Sequence, residues 1–136
     1  MKKLSFLLLL ALVFLTACGN NSWVLEDHRL GELSEIESYV NELQTERVMY
    51  KGYKVFTISE GKKAVVISLG KPGTRLDLVE VQSSSKDTVI TIKKTDDRTD
   101  YKNSYIVVGL DEIKGAFYVL DENQEEFFGT GYYMGR

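Results

Sequence analysis

Ala64-Val65-Val66-Ile67-Ser68-Leu69 is the stretch that decides the fold, because a short, continuous run of β-branched and aliphatic residues is typical of a buried strand. Immediately upstream, Val55-Phe56-Thr57-Ile58-Ser59 alternates between apolar and polar residues. Glu60-Gly61-Lys62 lies between the two segments and has the composition of a turn. Together the three segments predict a β-hairpin.

Downstream, further short strands alternate with turns. Pro72-Gly73 is the residue pair of a type II turn, in which proline presets one φ angle and glycine accepts the positive φ that follows. The next strand loses its period at Val79, which predicts a β-bulge. Residues 95–103 form the longest hydrophilic stretch and predict an exposed loop. The remaining predicted strands are residues 75–82, 88–94 and 104–110, followed by a last hairpin that joins 116–120 to Phe127-Phe128 across residues 121–124.

One amphipathic helix is predicted before these strands. Ser34-Glu35-Ile36-Glu37 matches the S-x-x-E capping box, in which the serine hydroxyl and the glutamate each satisfy a free amide at a helix start. The apolar stripe that follows at i, i+3, i+4 and i+7 consists of Ile36, Tyr39, Val40 and Leu43. The predicted fold class is therefore mainly β (α+β): a small antiparallel β-sandwich or partly closed barrel of six or seven strands, with one N-terminal amphipathic helix and a single domain at 34–136.

The amino-terminal segment predicts export and lipid anchoring. Lys2 and Lys3 precede an apolar run at 4–14, which is shorter than the roughly 20 residues that a membrane span needs. Leu15-Thr16-Ala17-Cys18 follows directly and is similar to the bacterial lipobox, in which cleavage after a small residue exposes a cysteine for diacylglycerol attachment. We expect a signal peptide at 1–17, cleavage between Ala17 and Cys18, and a lipidated Cys18 that begins a tether or arm at 18–33. The part of this arm at 23–30 is expected to be a short edge strand or an extended segment. The predicted location is the extracytoplasmic face of the cell membrane.

Composition limits the remaining options. Cys18 is the sole cysteine and is committed to the lipid, so the exported domain has no thiol left for a disulfide. Loss of Lys2 and Lys3 leaves 15 basic against 20 acidic residues, a formal charge of −5. Nucleic acid is not an expected partner, because phosphate binding needs clustered lysine and arginine.

Catalytic and metal sites are not predicted either. His28 is the only histidine, so a Cys-His or Ser-His-Asp set cannot be assembled within the domain. Asp96, Asp97 and Asp100 lack the spacing of a calcium loop, and Arg98 stands among them. We therefore expect no cofactor and no metal. A hydrolase would depend on carboxylates alone, for which Asp77 with Glu80, or Asp121 with Glu125, are the available pairs.

Four segments carry a family resemblance. Residues 65–74, 79–81, 87–92 and 105–111 resemble the C-terminal domain of the PrcB-type protease-complex subunits, over about the middle third of the chain. The resemblance implies a small secreted β-sandwich module that stabilises or regulates an associated protease.

The leading functional hypothesis is a non-catalytic binding or accessory module that recognises an envelope protein or a protease while anchored to the membrane through Cys18. Rigid turns and exposed aromatic residues supply contact area, so the expected binding surface combines three parts. These are the corner at Pro72 and Gly73, the loop with Asp96, Asp97, Asp100 and Tyr101, and the tail with Tyr132 and Tyr133. A carrier of a small ligand or lipid, with an apolar cavity inside the sheet, is the first alternative. The carboxylate-dependent hydrolase is the second, and the sequence leaves the oligomeric state open.

Overall fold

The fold is built around the strand that the apolar run predicts. The structure, a computed structural model, describes residues 21–26, 29 and 33–129. Its elements are β1 (Ser22–Leu25), α1 (Ser34–Thr45), β2 (Lys51–Thr57), a 3₁₀ turn (Ser59–Gly61), β3 (Lys63–Leu69), β4 (Thr74–Ser83), β5 (Asp87–Arg98), β6 (Tyr105–Leu110), β7 (Ala116–Leu120) and β8 (Glu126–Phe127). The described part of the chain thus holds eight strands rather than six or seven, and both predicted hairpins are confirmed.

The strands form two separate four-stranded sheets, so the barrel alternative is wrong. The first sheet has the order β1-β6-β3-β2 and is antiparallel throughout. The second has the order β4-β5-β7-β8, and its β5–β7 pair is parallel. The sequence predicts wholly antiparallel pairing, and this prediction is wrong for the β5–β7 pair. The parallel pair arises because β6 makes the return pass in the other sheet, so β7 runs in the same direction as β5.

Strand β3 lies in two cores at once. Val65, Ile67 and Leu69 belong to a cluster shared with apolar residues of both sheets, which gives the domain a sandwich-like arrangement. Ala64 and Val66 belong to a second cluster between the first sheet and α1. Because both faces of the strand are covered, its sequence is apolar from Ala64 to Ile67 instead of alternating.

Helix α1 begins at Ser34 as predicted, and its whole apolar stripe is buried. The predicted capping box is wrong, since no side chain caps this helix. Ser34 takes the first helical position, and the capping position falls to Leu33, whose side chain has no oxygen to accept an amide proton.

Two predicted irregularities are present. Gly73 has a φ of 83°, as the second central residue of a type II turn requires. The register between β4 and β5 shifts between Leu78 and Glu80, so the bulge at Val79 is confirmed, and this side chain is half exposed. The short edge strand expected in the arm is β1, which pairs with β6 alone.

The connections between the strands lie at two opposite ends of the domain, here called the amino-terminal pole and the opposite pole. The amino-terminal pole holds the start of β1 and the connections at 58–62, 84–86 and 111–115. The opposite pole holds the connections at 46–50, 70–73, 99–104 and 121–125.

Within the described residues, no helix has the length and apolar character needed to cross a bilayer.

Candidate functional site

Two parts of the expected binding surface meet at the opposite pole. The backbone N–H of Gly73 donates to the carbonyl oxygen of Tyr101 at 3.2 Å, and the N–H of Thr99 donates to the oxygen of Gly73 at 3.1 Å. The Pro72 corner is therefore bonded to the loop that carries Asp100 and Tyr101. The two segments present one continuous surface.

Asn103 fixes this loop to three other segments, although the sequence predicted an exposed position for it. Its side chain is fully buried, and its Oδ1 accepts from the N–H of Gly70 at 2.8 Å. Its Nδ2 donates to the carbonyl oxygens of Arg47 and Tyr50, both at 2.9 Å. From α1, the Gln44 amide donates to the carbonyl oxygen of Asn103 at 2.8 Å. The loop is thus held as a rigid surface.

A second irregularity between β4 and β5 determines the shape of this pole. Thr74 pairs with Arg98 and Leu76 pairs with Lys94, so Arg75 lies opposite three residues, 95–97. The predicted loop at 95–103 is wrong in its first part, because β5 continues to Arg98. A bulge of this kind bends the strand and redirects the neighbouring side chains.

An open cleft of about 310 Å³, here called the inter-sheet cleft, lies beside this bulge between the edge strands β1 and β4. Its buried lining is apolar and aromatic, and its exposed lining carries two arginines. The lining residues that matter here are Leu25, Leu76, Ile106, Tyr105, Tyr101, Arg75 and Arg98. The rings of Tyr101 and Tyr105 lie 4.7 Å apart between centroids. Tyr101, which was expected in the binding surface, therefore forms one wall of the cleft together with the buried Tyr105.

The cleft combines groups suited to a carboxylate that is attached to an apolar body. Guanidinium groups match carboxylate geometry with paired N–H donors. Arg75 lies 3.6 Å from a carboxylate oxygen of Asp77, but both side chains are largely exposed, and such pairs contribute little. Glu26 is the acidic residue of the lining, against the two arginines. The lining itself holds two arginines and one carboxylate, with Asp77 beside Arg75, so the cleft presents guanidinium donors and not a net positive charge.

Comparison with known proteins places the chain in a family. It is 43% identical over 129 residues to a protein of Bacillus subtilis (strain 168) named "Uncharacterized protein YycS", and the match covers 92% of this chain and 93% of that protein. The chain belongs to the YycS family. No protein-family model matches it, and no solved structure matches it.

The other predicted site residues of this YycS-family chain do not converge. Asp96, Asp97 and Asp100 are exposed and do not line the inter-sheet cleft. In the described ranges, no three acidic, histidine or cysteine residues are grouped so that they could hold a metal ion. The remaining predicted positions lie outside the described residues, namely Ala17, Cys18, His28, Tyr132 and Tyr133.

The carboxylates considered for hydrolysis include one that is hydrogen-bonded within a turn and two that are exposed on the surface. Asp121 is buried, and its Oδ1 accepts from the backbone N–H groups of Asn123 at 2.8 Å and Glu125 at 2.9 Å. This side chain therefore organises the turn between β7 and β8. Glu125 is exposed, and Glu80 is exposed on β4.

Arg75 and Arg98 are the site residues that sequence reasoning missed. They are 23 positions apart in the chain, in segments interpreted as a strand and as a solvated loop. Only the register between β4 and β5 brings both to one cleft. Nothing in the local pattern of either segment indicates this.

A second, wider groove of about 620 Å³ lies between α1 and β2 in this member of the YycS family. The Lys54 Nζ lies 5.1 Å from the ring centroid of Tyr39 and 5.2 Å from that of Phe56. Burial raises the pKa of Tyr39 to about 12, helped by nearby Tyr50. The Tyr39 hydroxyl is buried and has no hydrogen-bond partner within the described structure.

Proposed function

We propose that this protein is a lipoprotein of the extracytoplasmic membrane face whose domain is a non-catalytic binding module. In this proposal, cleavage after Ala17 leaves Cys18 as the lipidated first residue. The observation that supports the anchor is that Asn21, three positions after Cys18, is hydrogen-bonded to the residue that follows β6. The N–H of Asn21 donates to Asp111 Oδ2 at 3.1 Å, and its carbonyl oxygen accepts from the N–H of Asp111 at 3.2 Å. Cleavage before Cys18 leaves these bonds intact.

The observation that carries the binding role is the inter-sheet cleft. An acidic domain gains nothing for its own fold from two largely exposed arginines beside a half-buried aromatic wall. The same groups are suited to an acidic or carboxylate-bearing segment of a partner, since arginine and tyrosine dominate the energetics of protein interfaces. The expected partner is an envelope protein or a protease, in line with the resemblance to protease-complex subunits.

The filled space between the sheets favours a binding module over a lipid carrier. A carrier that encloses its ligand needs an interior cavity of about 300 Å³ or more. The inter-sheet cleft has about 310 Å³ but is open to solvent. Side chains of both sheets occupy the inter-sheet core instead, among them Val65, Ile90, Val108 and Val119, each with no exposed surface.

Metabolic labelling tests the anchor. A clickable fatty acid should label the wild-type protein, which should also migrate at the size left by loss of 1–17. Cys18→Ser should carry no label and should keep the precursor size. A wild-type protein without label, or a Cys18→Ser protein with it, would contradict the anchor.

Site-specific crosslinking tests the binding role. A photocrosslinking amino acid at Tyr101, on the wall of the cleft, should capture one defined partner in intact cells, which mass spectrometry identifies. Arg75→Ala combined with Arg98→Ala should reduce this product at least several-fold. Lys86→Ala is the matched control, since it removes one exposed positive charge at the amino-terminal pole and should leave the product unchanged. Equal capture by all three proteins would refute the cleft as the binding site.

A further inference from the structure

The amino-terminal pole lies close to Cys18 along the chain and carries no net charge. We propose that this pole rests on the lipid headgroups, so that the inter-sheet cleft faces away from the bilayer. The inference rests on the lipid anchor proposed above. The surface concerned consists of the start of β1 and the connections at 58–62, 84–86 and 111–115.

The first argument is the length of the tether. Two residues separate Cys18 from Asn21, and Asn21 is already bonded to Asp111 at the end of β6. Three residue steps span at most about 11 Å, even when fully extended. A lipid on Cys18 therefore holds this pole within about 11 Å of the headgroup layer, and the domain has no length of chain with which to turn over.

The second argument is the distribution of charge. The pole carries equal numbers of basic and acidic residues, whereas the chain after residue 17 has a formal charge of −5, so the acidic excess lies elsewhere. An anionic bilayer repels the acidic body and favours contact with the end that has no net charge. The charged residues of these connections are Lys62, Lys86 and Lys114 with Glu60, Asp111 and Glu112.

The third argument is the side chain beside the tether. Trp23 lies on β1, and the Lys62 Nζ lies 5.5 Å from its ring centroid. Lys62 also lies 3.9 Å from a carboxylate oxygen of Asp111, the partner of Asn21. Indole rings and lysine side chains are both favoured at the level of lipid headgroups, where an apolar body and a polar tip are satisfied together.

The opposite pole is then carried well away from the lipid. Strand β3 runs from Lys63 at the amino-terminal pole to Leu69 beside the 70–73 connection. At a rise of about 3.3 Å per residue, this strand alone separates the poles by about 20 Å. The cleft is thus presented to a partner in the extracytoplasmic space.

Trp23 is the only tryptophan in the chain, which gives a direct test. The full lipidated protein is reconstituted into vesicles that contain a lipid with a dansyl headgroup, and energy transfer from tryptophan to dansyl is measured. The double variant Trp23→Phe with Lys71→Trp moves the sole indole to the opposite pole, at an exposed position. We expect transfer from the wild-type protein to exceed that from the double variant several-fold.

A second pair of variants avoids any change to β1. Lys86→Cys and Lys71→Cys each replace one exposed lysine, at the two different poles, and Cys18 is blocked by its lipid. A dye on Lys86→Cys should be quenched several-fold more by nitroxide headgroup lipids than the same dye on Lys71→Cys. Equal or reversed ratios in vesicle-bound protein would overturn the orientation. If the vesicles retain neither the wild-type protein nor Cys18→Ser, the anchor itself is refuted, and the orientation with it.

Discussion

Replacement of Asn103 by alanine should destabilise the domain more than any other change to the surface loops. The side chain makes three hydrogen bonds, to the N–H of Gly70 and to the carbonyl oxygens of Arg47 and Tyr50. It joins the end of α1, the start of β2, the turn after β3 and the loop before β6. Alanine keeps none of these bonds.

The expected loss follows from those bonds. Three lost bonds at about 1 kcal/mol net each give about 3 kcal/mol. The Tyr50 carbonyl keeps a bond from the Ser68 hydroxyl, and one further backbone group left at the low end of its penalty of about 1–3 kcal/mol adds about 1, so Asn103→Ala should lower the free energy of unfolding by about 3–4 kcal/mol. A domain of this kind has about 5–15 kcal/mol in total, so the variant should still fold. At about 4 °C per kcal/mol for this size, the melting temperature should fall by about 12–16 °C.

Urea unfolding followed by circular dichroism measures this loss. Asn123→Ala is the matched control, because Asn123 is an exposed asparagine in a turn at the same pole, and its replacement should change the stability by less than about 0.5 kcal/mol. A loss below about 1 kcal/mol for Asn103→Ala would refute the reasoning, since it would mean that water or local rearrangement replaces all three bonds.

Two further predictions concern other buried positions. Gly109→Ala should cost about 1–3 kcal/mol and alter the Trp23 fluorescence spectrum, because an added Cβ would overlap the indole ring that packs on Gly109; an unchanged spectrum and stability would contradict it. Tyr39→Phe should leave stability at neutral pH equal or higher by up to about 1 kcal/mol, because it removes a buried hydroxyl without a partner. The pKa of Tyr39 is raised from 10.0 to about 12, so above pH 10 the unfolded chain loses this proton before the folded chain does. Tyr39 therefore has no effect on the pH dependence of stability below pH 10, and it lowers the free energy of unfolding as the pH rises towards 12. Urea titrations from neutral to high pH should show a smaller loss for Tyr39→Phe than for the wild type, and equal losses would exclude Tyr39 as the group responsible.

Local patterns predicted those features that depend on neighbours in the chain. The run at 64–69 predicted a buried strand because its residues suit no exposed position. The spacing of Ile36, Tyr39, Val40 and Leu43 predicted the buried face of α1. Pro72-Gly73 predicted its turn because proline fixes its own φ angle and glycine accepts the positive φ that follows.

The predictions that were wrong depended on distant partners. Residues 95–98 are hydrophilic and suited to a loop, yet they extend β5 because Thr74 of β4 pairs with Arg98. Asn103 has the composition of an exposed loop, yet three backbone groups from other segments surround it. Polarity indicates exposure only where no buried backbone group needs a partner.

The strand-rich fold, helix α1, the turns and the lipobox motif could be predicted from the sequence alone, because each is expressed by residues that are adjacent or one helical turn apart. The division of the strands into two sheets, the parallel β5–β7 pair and the meeting of Arg75, Arg98 and Tyr101 in one cleft became apparent only from the folded structure. These features depend on the register between strands, which is set by packing of both faces of β3 and by the bulges in β4 and β5, and no local pattern records that register.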